Sequence, residues 1–223
     1  DYFQAEKYEL AANTFRRAAA LSPFTDNAAS AYDYMAQSYL KLEKTDQAIK
    51  TYKDAIRLFP SDETFHTRLG DIYLQEEMNE EAIEQYEAAV RLNRNDAEAS
   101  YSLGQAYITS GELDKARNQF KEVVRISPAS ATGYYGLGQV ARAQGDTEDA
   151  VSQLTKAIRV NKDFELAYLE LGYTYSDMGN FEKANDILAT LEVKKSDKAT
   201  DLENYITQAA QPRILAANAN NGF

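Results

Sequence analysis

The chain has 223 residues, 26% of them charged, and its 24 Lys and Arg against 35 Asp and Glu give a formal net charge of −11. That length buries a substantial core in one domain or two small ones, while the acidic balance argues against a nucleic-acid binder and against adsorption to an anionic membrane surface. No cysteine is present and His66 is the single histidine, which excludes disulfides and thiolate chemistry and leaves a zinc site or a Ser-His-Asp triad hard to build.

In chain order the first helical stripe is Ala11, Phe15 and Ala18, spaced i, i+4, i+7. It returns 37 residues later as Ala48, Tyr52 and Ala55, and then every 34 residues as Ala82/Tyr86/Ala89, Ala116/Phe120/Val123, Ala150/Leu154/Ala157 and Ala184/Leu188/Leu191. Ahead of each later stripe stands a second one, built on Leu69-Gly70, Leu103-Gly104, Leu137-Gly138 and Leu171-Gly172, with Met35-Ala36 at the first place. Short breaks separate the two at 43–46, 77–79, 110–112, 144–146 and 178–180. Gly111, Gly145 and Gly179 suit a left-handed helix end there, and the Asp or Asn that follows can cap the next helix. Pro60 and Pro128, with Pro23 in the equivalent place, close second helices. Each period is therefore a helix, a tight turn and another helix. The interior glycines each cost roughly 1 kcal/mol against alanine, and close helix approach is the compensation expected. One hairpin leaves an apolar face uncovered, so successive hairpins must stack.

This pattern resembles the tetratricopeptide repeat (TPR), a 34-residue helix-turn-helix; residues 97–130 match nearly throughout with Leu103, Gly104, Tyr107, Gly111, Ala116, Phe120 and Pro128. The resemblance implies an all-α fold, a right-handed α-solenoid of stacked repeats over 1–198. Its divisions are a truncated first repeat at 1–28 and full ones at 29–62, 63–96, 97–130, 131–164 and 165–198. A capping helix is expected at 199–211, with Leu202, Tyr205 and Ile206 on one side, and a flexible tail at 212–223. Departures are Met35-Ala36 for Leu-Gly, Ala141 for Tyr, Val123 and Leu191 for Ala, and an insertion near Phe24–Asn27 that lengthens the first period. The chain begins inside a repeat, so a targeting segment is expected to have been cut off. No apolar run approaches the ~20 residues that span a bilayer. Compartment is left open, with the cytoplasm ahead of the periplasm.

Gly133-Tyr134-Tyr135-Gly136-Leu137-Gly138 has the glycine density of a phosphate loop, but that motif must follow a strand and open a helix. Gly138 is instead a repeat-packing residue. His66 stands where the repeat holds an aromatic and has no second His or Cys to share a site. The acidic run Glu76–Glu87 reads as a solvated helix face and lacks the Gly and alternating Asp/Asn of a calcium loop. No acid/base pair can be assigned, so the chain is read as a non-enzyme without metal or cofactor.

The resemblance places the first helix of each repeat on the concave surface. There Gln37, Asp71, Gln105, Gln139 and Tyr173 form a ladder spaced by 34, with Arg68, Tyr101, Tyr135 and Arg142 within a turn of it. Glutamines donate to and accept from an extended backbone, and tyrosines give rigid contact area with a polar tip. These nine residues are the candidate peptide-binding set. The carboxylate clamp by which some family members hold acidic chaperone tails is missing, because Arg68 is its only basic match and Thr64 stands where lysine is needed. The expected function is an adaptor that grips an extended or helical, neutral or basic segment of another protein. The alternatives are a scaffold that self-associates head to tail through Tyr2, Phe3 and Tyr8, and the targeting arm of a larger protein.

Overall fold

The computed structural model describes residues 7–21 and 25–220, with side chains as far as Gln211. Among these residues all regular structure is helical, and the twelve helices fall into two compact units, Asp1–Ser110 and Gly111–Phe223. Unit 1 holds α1 (Tyr8–Leu21), α2 (Asp26–Lys41), α3 (Thr45–Leu58), α4 (Glu63–Gln75), α5 (Asn79–Leu92) and α6 (Ala97–Thr109). Unit 2 holds α7 (Leu113–Ile126), α8 (Ala131–Ala143), α9 (Thr147–Val160), α10 (Glu165–Asp177), α11 (Phe181–Val193) and α12 (Lys198–Asn220). The even-numbered helices α2 to α10 are the first, or A, helices of the repeats, and the odd-numbered ones are the second, or B, helices.

The expected turns form. Gly111, Gly145 and Gly179 have φ of 78°, 81° and 70°, in the left-handed region. In unit 1 the same repeat position is held by Glu43 and Glu77, at φ 58° and 60°, where a residue with a Cβ costs about 1–2 kcal/mol. Asp146 and Asn180 cap α9 and α11 through the backbone N–H groups of Asp149 and Lys183, at 3.1 and 3.2 Å. The A helices start on side-chain caps as well: Thr25 for α2, Asp62 for α4, Asp96 for α6 and Ser130 for α8. Pro60 and Pro128 lie two residues beyond α3 and α7, as the closing role requires; Pro23 lies outside the described residues.

The knobs of the B helices fill the core. Tyr52, Tyr86, Phe120 and Leu154 are each 1% exposed or less. A Cβ added to Gly70 would lie 2.8 Å from the Tyr86 ring, and one on Gly138 2.6 Å from Leu154. Gly70 and Gly138 thus each admit the knob of their own hairpin. Gly136 does the same for Phe120 of the preceding B helix, and Gly172 takes Leu202 of α12 at 2.5 Å. Gly133–Gly138 lies wholly inside α8 and packs as helix surface.

Three details depart from the sequence reading. In α1 the buried stripe ends on Ala19, 3% exposed, because that residue packs with Ala28 and Ala31, while Ala18 is exposed. The long first period is taken up by α2, which has 16 residues where α4, α6, α8 and α10 have 13; Phe24 lies outside the described residues. The last helix, expected to stop at 211, runs on through Pro212 to Asn220. A proline removes one N–H but does not forbid helix after it, and Ala216, Ala217 and Ala219 supply the strongest helix formers. The end of the expected tail, 221–223, lies outside the described residues. So do Tyr2 and Phe3; Tyr8 is half-buried.

Candidate functional site: the A-helix faces

In unit 1 the A helices α2, α4 and α6 bring the ladder together. Gln37 donates to Asp33 Oδ2 at 2.7 Å, and the Tyr52 hydroxyl, reaching through the hairpin from α3, donates to Asp33 Oδ1 at 2.8 Å. One repeat on, the Tyr86 hydroxyl from α5 donates to Asp71 Oδ1 at 2.8 Å. Arg68 stands between the two carboxylates, 4.0 Å from each, with about half of its side chain exposed. Burial first, and the adjacent carboxylates next, push the Tyr52 and Tyr86 phenols well above their ordinary value of 10.0. On α6, Tyr101 and Gln105 are hydrogen-bonded partners, and burial raises the Tyr101 phenol against the opposing effect of that bond.

Two clefts open on this face, of about 300 and about 180 Å³. Asp26, Asp33 and Asp62 line the first; Glu63, Asp71, Asp96 and Glu98 line the second, and Arg68 is the only cation among the lining residues. Of these acids only Asp71 belongs to the candidate peptide-binding set. Asp62 and Asp96 did carry a signal, standing 34 residues apart as helix caps. Their carboxylates bind the first backbone N–H groups, so the same residues start the helices and charge the cleft.

In unit 2 the candidate residues have other work. Tyr135 is only 7% exposed; its ring packs edge-on against Phe164 at 5.2 Å and its hydroxyl accepts from Gln139 at 2.9 Å. It is a core residue, placed inward because α8 turns Gly133, Tyr135 and Gly136 toward its neighbours. Arg142 is enclosed. Its Nε donates to Asp177 Oδ2 at 2.7 Å, Nη1 to Glu170 Oε1 at 3.0 Å and Nη2 to the Tyr205 hydroxyl at 2.7 Å. Burial works against the charge, but bonds to Asp177 and Glu170 outweigh it and hold the guanidinium firmly protonated. Tyr173 stacks on Tyr205 with ring centres 4.3 Å apart.

Of the remaining sequence features, His66 Nδ1 shares a hydrogen bond with Gln85 Oε1 at 2.9 Å. Within the acidic run, Glu87 accepts from the Tyr107 hydroxyl at 2.5 Å. Among the described residues no group of three or more His, Asp or Glu is arranged to hold a metal, and no helix is long and apolar enough to cross a membrane.

Family models described as TPR repeat match residues 70–111, 104–141 and 138–179, and one described as tetratricopeptide repeat matches 35–90. Among solved structures the chain is similar to a tetratricopeptide repeat protein from Parabacteroides merdae, with TM-score 0.80 at 16% identity over 95% of this chain and 83% of that one. It is also similar to MamA, with TM-score 0.61 at 26% identity over 78% and 97%. A third similar structure is YrrB, described as a TPR protein with an unusual peptide-binding site, at TM-score 0.66 and 22% identity over 91% and 98%. No curated protein sequence matches the chain. Repeat models, helix order and knob-into-glycine packing agree, and the chain belongs to the tetratricopeptide repeat family.

Proposed function

We propose that this protein-interaction module is a non-catalytic adaptor whose A-helix face in unit 1 binds an extended or helical, basic segment of a partner protein. The observation that carries this is the fixed acidity of the face: seven carboxylates against one guanidinium line its two clefts. Asp33 and Asp71 are already held by the Tyr52 and Tyr86 hydroxyls, so less ordering cost falls on binding. Asp33, Gln37, Arg68 and Asp71 present donors and acceptors side by side, suited to a peptide backbone and its Lys or Arg side chains. Attraction across such a face speeds association and fades with salt.

Selection of a random 16-residue peptide library on the full chain at low ionic strength tests the reading. Enriched peptides are expected to be net positive, and Asp33→Asn with Asp71→Asn is expected to weaken them about tenfold, roughly the loss of one charge-assisted contact. Enrichment of neutral or acidic peptides, or affinity untouched by the two substitutions, would refute it. Tyr135→Ala is unsuitable as a binding test because it removes a buried ring.

A further inference from the structure

Tyr173 and Arg142, two of the candidate residues in unit 2, are met by the chain's own last helix. Tyr205 of α12 inserts its ring beside Tyr173, with the Arg142 guanidinium 5.1 Å from one ring and 5.4 Å from the other. Its hydroxyl accepts from Arg142 and donates to Asp177 Oδ1 at 2.6 Å, so both hydrogen-bonding capacities are used. Three residues earlier on the same helix, Leu202 is fully buried against Gly172. Ile206, 9% exposed, completes the seat with Leu169, Ala184 and Leu191. Arg142, Tyr173 and Asp177 therefore receive a helix that offers leucine and tyrosine three residues apart, the spacing that puts two side chains on one helix face.

We propose that the surface of α10 and α11 that seats Leu202 and Ile206, with Arg142 of α8 beside it, is a helix receptor and that α12 is its resident, displaceable ligand. The partner that fits is an amphipathic helix presenting Leu-x-x-Tyr, with the tyrosine hydroxyl entering between Arg142 and Asp177. Such a helix is read by two anchors, one apolar in the Gly172 notch and one polar over the guanidinium. While α12 is attached, its high effective concentration keeps competitors out. Its loosening would open the face. This goes beyond the basic-segment reading of unit 1 and uses none of its residues.

The test is a fluorescently labelled peptide of residues 198–220, titrated by anisotropy into the full chain, the full-length Tyr205→Ala variant and the Tyr205→Ala/Arg142→Ala double variant. Hydrogen exchange of α12 is followed in each. The variant whose own α12 is loosened is expected to bind the peptide at least about tenfold more tightly than the parent, through the lowered local competition. The double variant, and a peptide carrying the same Tyr205→Ala change, are expected to lose that gain. Tyr205→Phe, which keeps the ring stack and removes the hydroxyl, is expected to fall between and guards against a variant that does not fold. Asp33→Asn should leave peptide binding unchanged, which separates this result from the unit 1 reading. Equal binding by parent and variant, α12 exchange unaltered by Tyr205→Ala, or an α12 that detaches without the peptide binding in trans would each overturn the proposal.

Discussion

Units 1 and 2 use one 34-residue frame for different ends. In unit 1 the core knobs Tyr52 and Tyr86 carry hydroxyls that pass through the hairpin and hold carboxylates on the A-helix face. In unit 2 the knobs Phe120 and Leu154 end inside the core. In unit 1 α2 starts on Thr25 but α4 and α6 start on Asp62 and Asp96, whereas α8 and α10 of unit 2 start on Ser130 and Phe164. The tight turns of unit 1 strain Glu43 and Glu77 where unit 2 has glycine. Polar groups of the unit 1 A helices thus line open clefts, while Arg142, Tyr173 and Asp177 of unit 2 close around Tyr205 of α12. A repeat fixes where a side chain stands, and the residue placed there decides whether that position binds, packs or latches.

The largest way to break this contrast is truncation of a knob. Phe120→Ala should cost about 3–5 kcal/mol, against about 1–3 kcal/mol for Tyr86→Phe, which keeps the packed ring and loses one hydrogen bond to a carboxylate. Urea unfolding followed by helical ellipticity checks the ranking, and equal losses would show that the knobs do not dominate the core. Next come the notches: Gly70→Leu and Gly138→Leu should each lose about 1–3 kcal/mol or more by overpacking against Tyr86 and Leu154. An unshifted melting temperature would contradict the knob-into-glycine packing.

A smaller effect depends on pH. Because the Tyr52 and Tyr86 phenols are pushed above 10.0, they stay protonated in the folded chain while unfolded tyrosines ionise. Stability from this source is full below about pH 10 and is lost as pH rises beyond it. The Tyr52→Phe/Tyr86→Phe double variant should therefore lose melting temperature less steeply between pH 9 and 11, on the order of one unfolded-phenol titration range. The smallest effect is at the turns. Glu77→Gly should gain up to about 1 kcal/mol by relieving the left-handed backbone, and Gly145→Ala should lose about as much, since an added Cβ there meets nothing within 4 Å and only the backbone strain remains.

Periodicity made the fold legible, because Leu-Gly pairs and Ala-aromatic-Ala stripes report directly on which faces must touch. The A-helix face was legible as a set of positions but not in its chemistry. Tyr135 stands on the ladder side by spacing, yet the Phe164 ring facing it decides that it is buried. Arg142 and Tyr173 look like groove residues until Tyr205, 63 positions beyond the arginine, closes on both. Such contacts depend on how α12 returns over the stack, and no local pattern encodes that. Two of the unit 1 acids, Asp62 and Asp96, stand 34 residues apart as caps, but the convergence of seven on two clefts follows only from neighbouring A helices lying side by side.

The most direct measurement is amide and side-chain shift mapping of the isotopically labelled full chain with the tightest basic peptide from the library. Shifts are expected to gather on α2, α4 and α6 at Asp33, Gln37, Arg68, Asp71 and Gln105, and to disappear with Asp33→Asn/Asp71→Asn. Shifts confined to the B helices α3 and α5, or persisting in that double variant, would contradict a ligand-binding role for the acidic A-helix face.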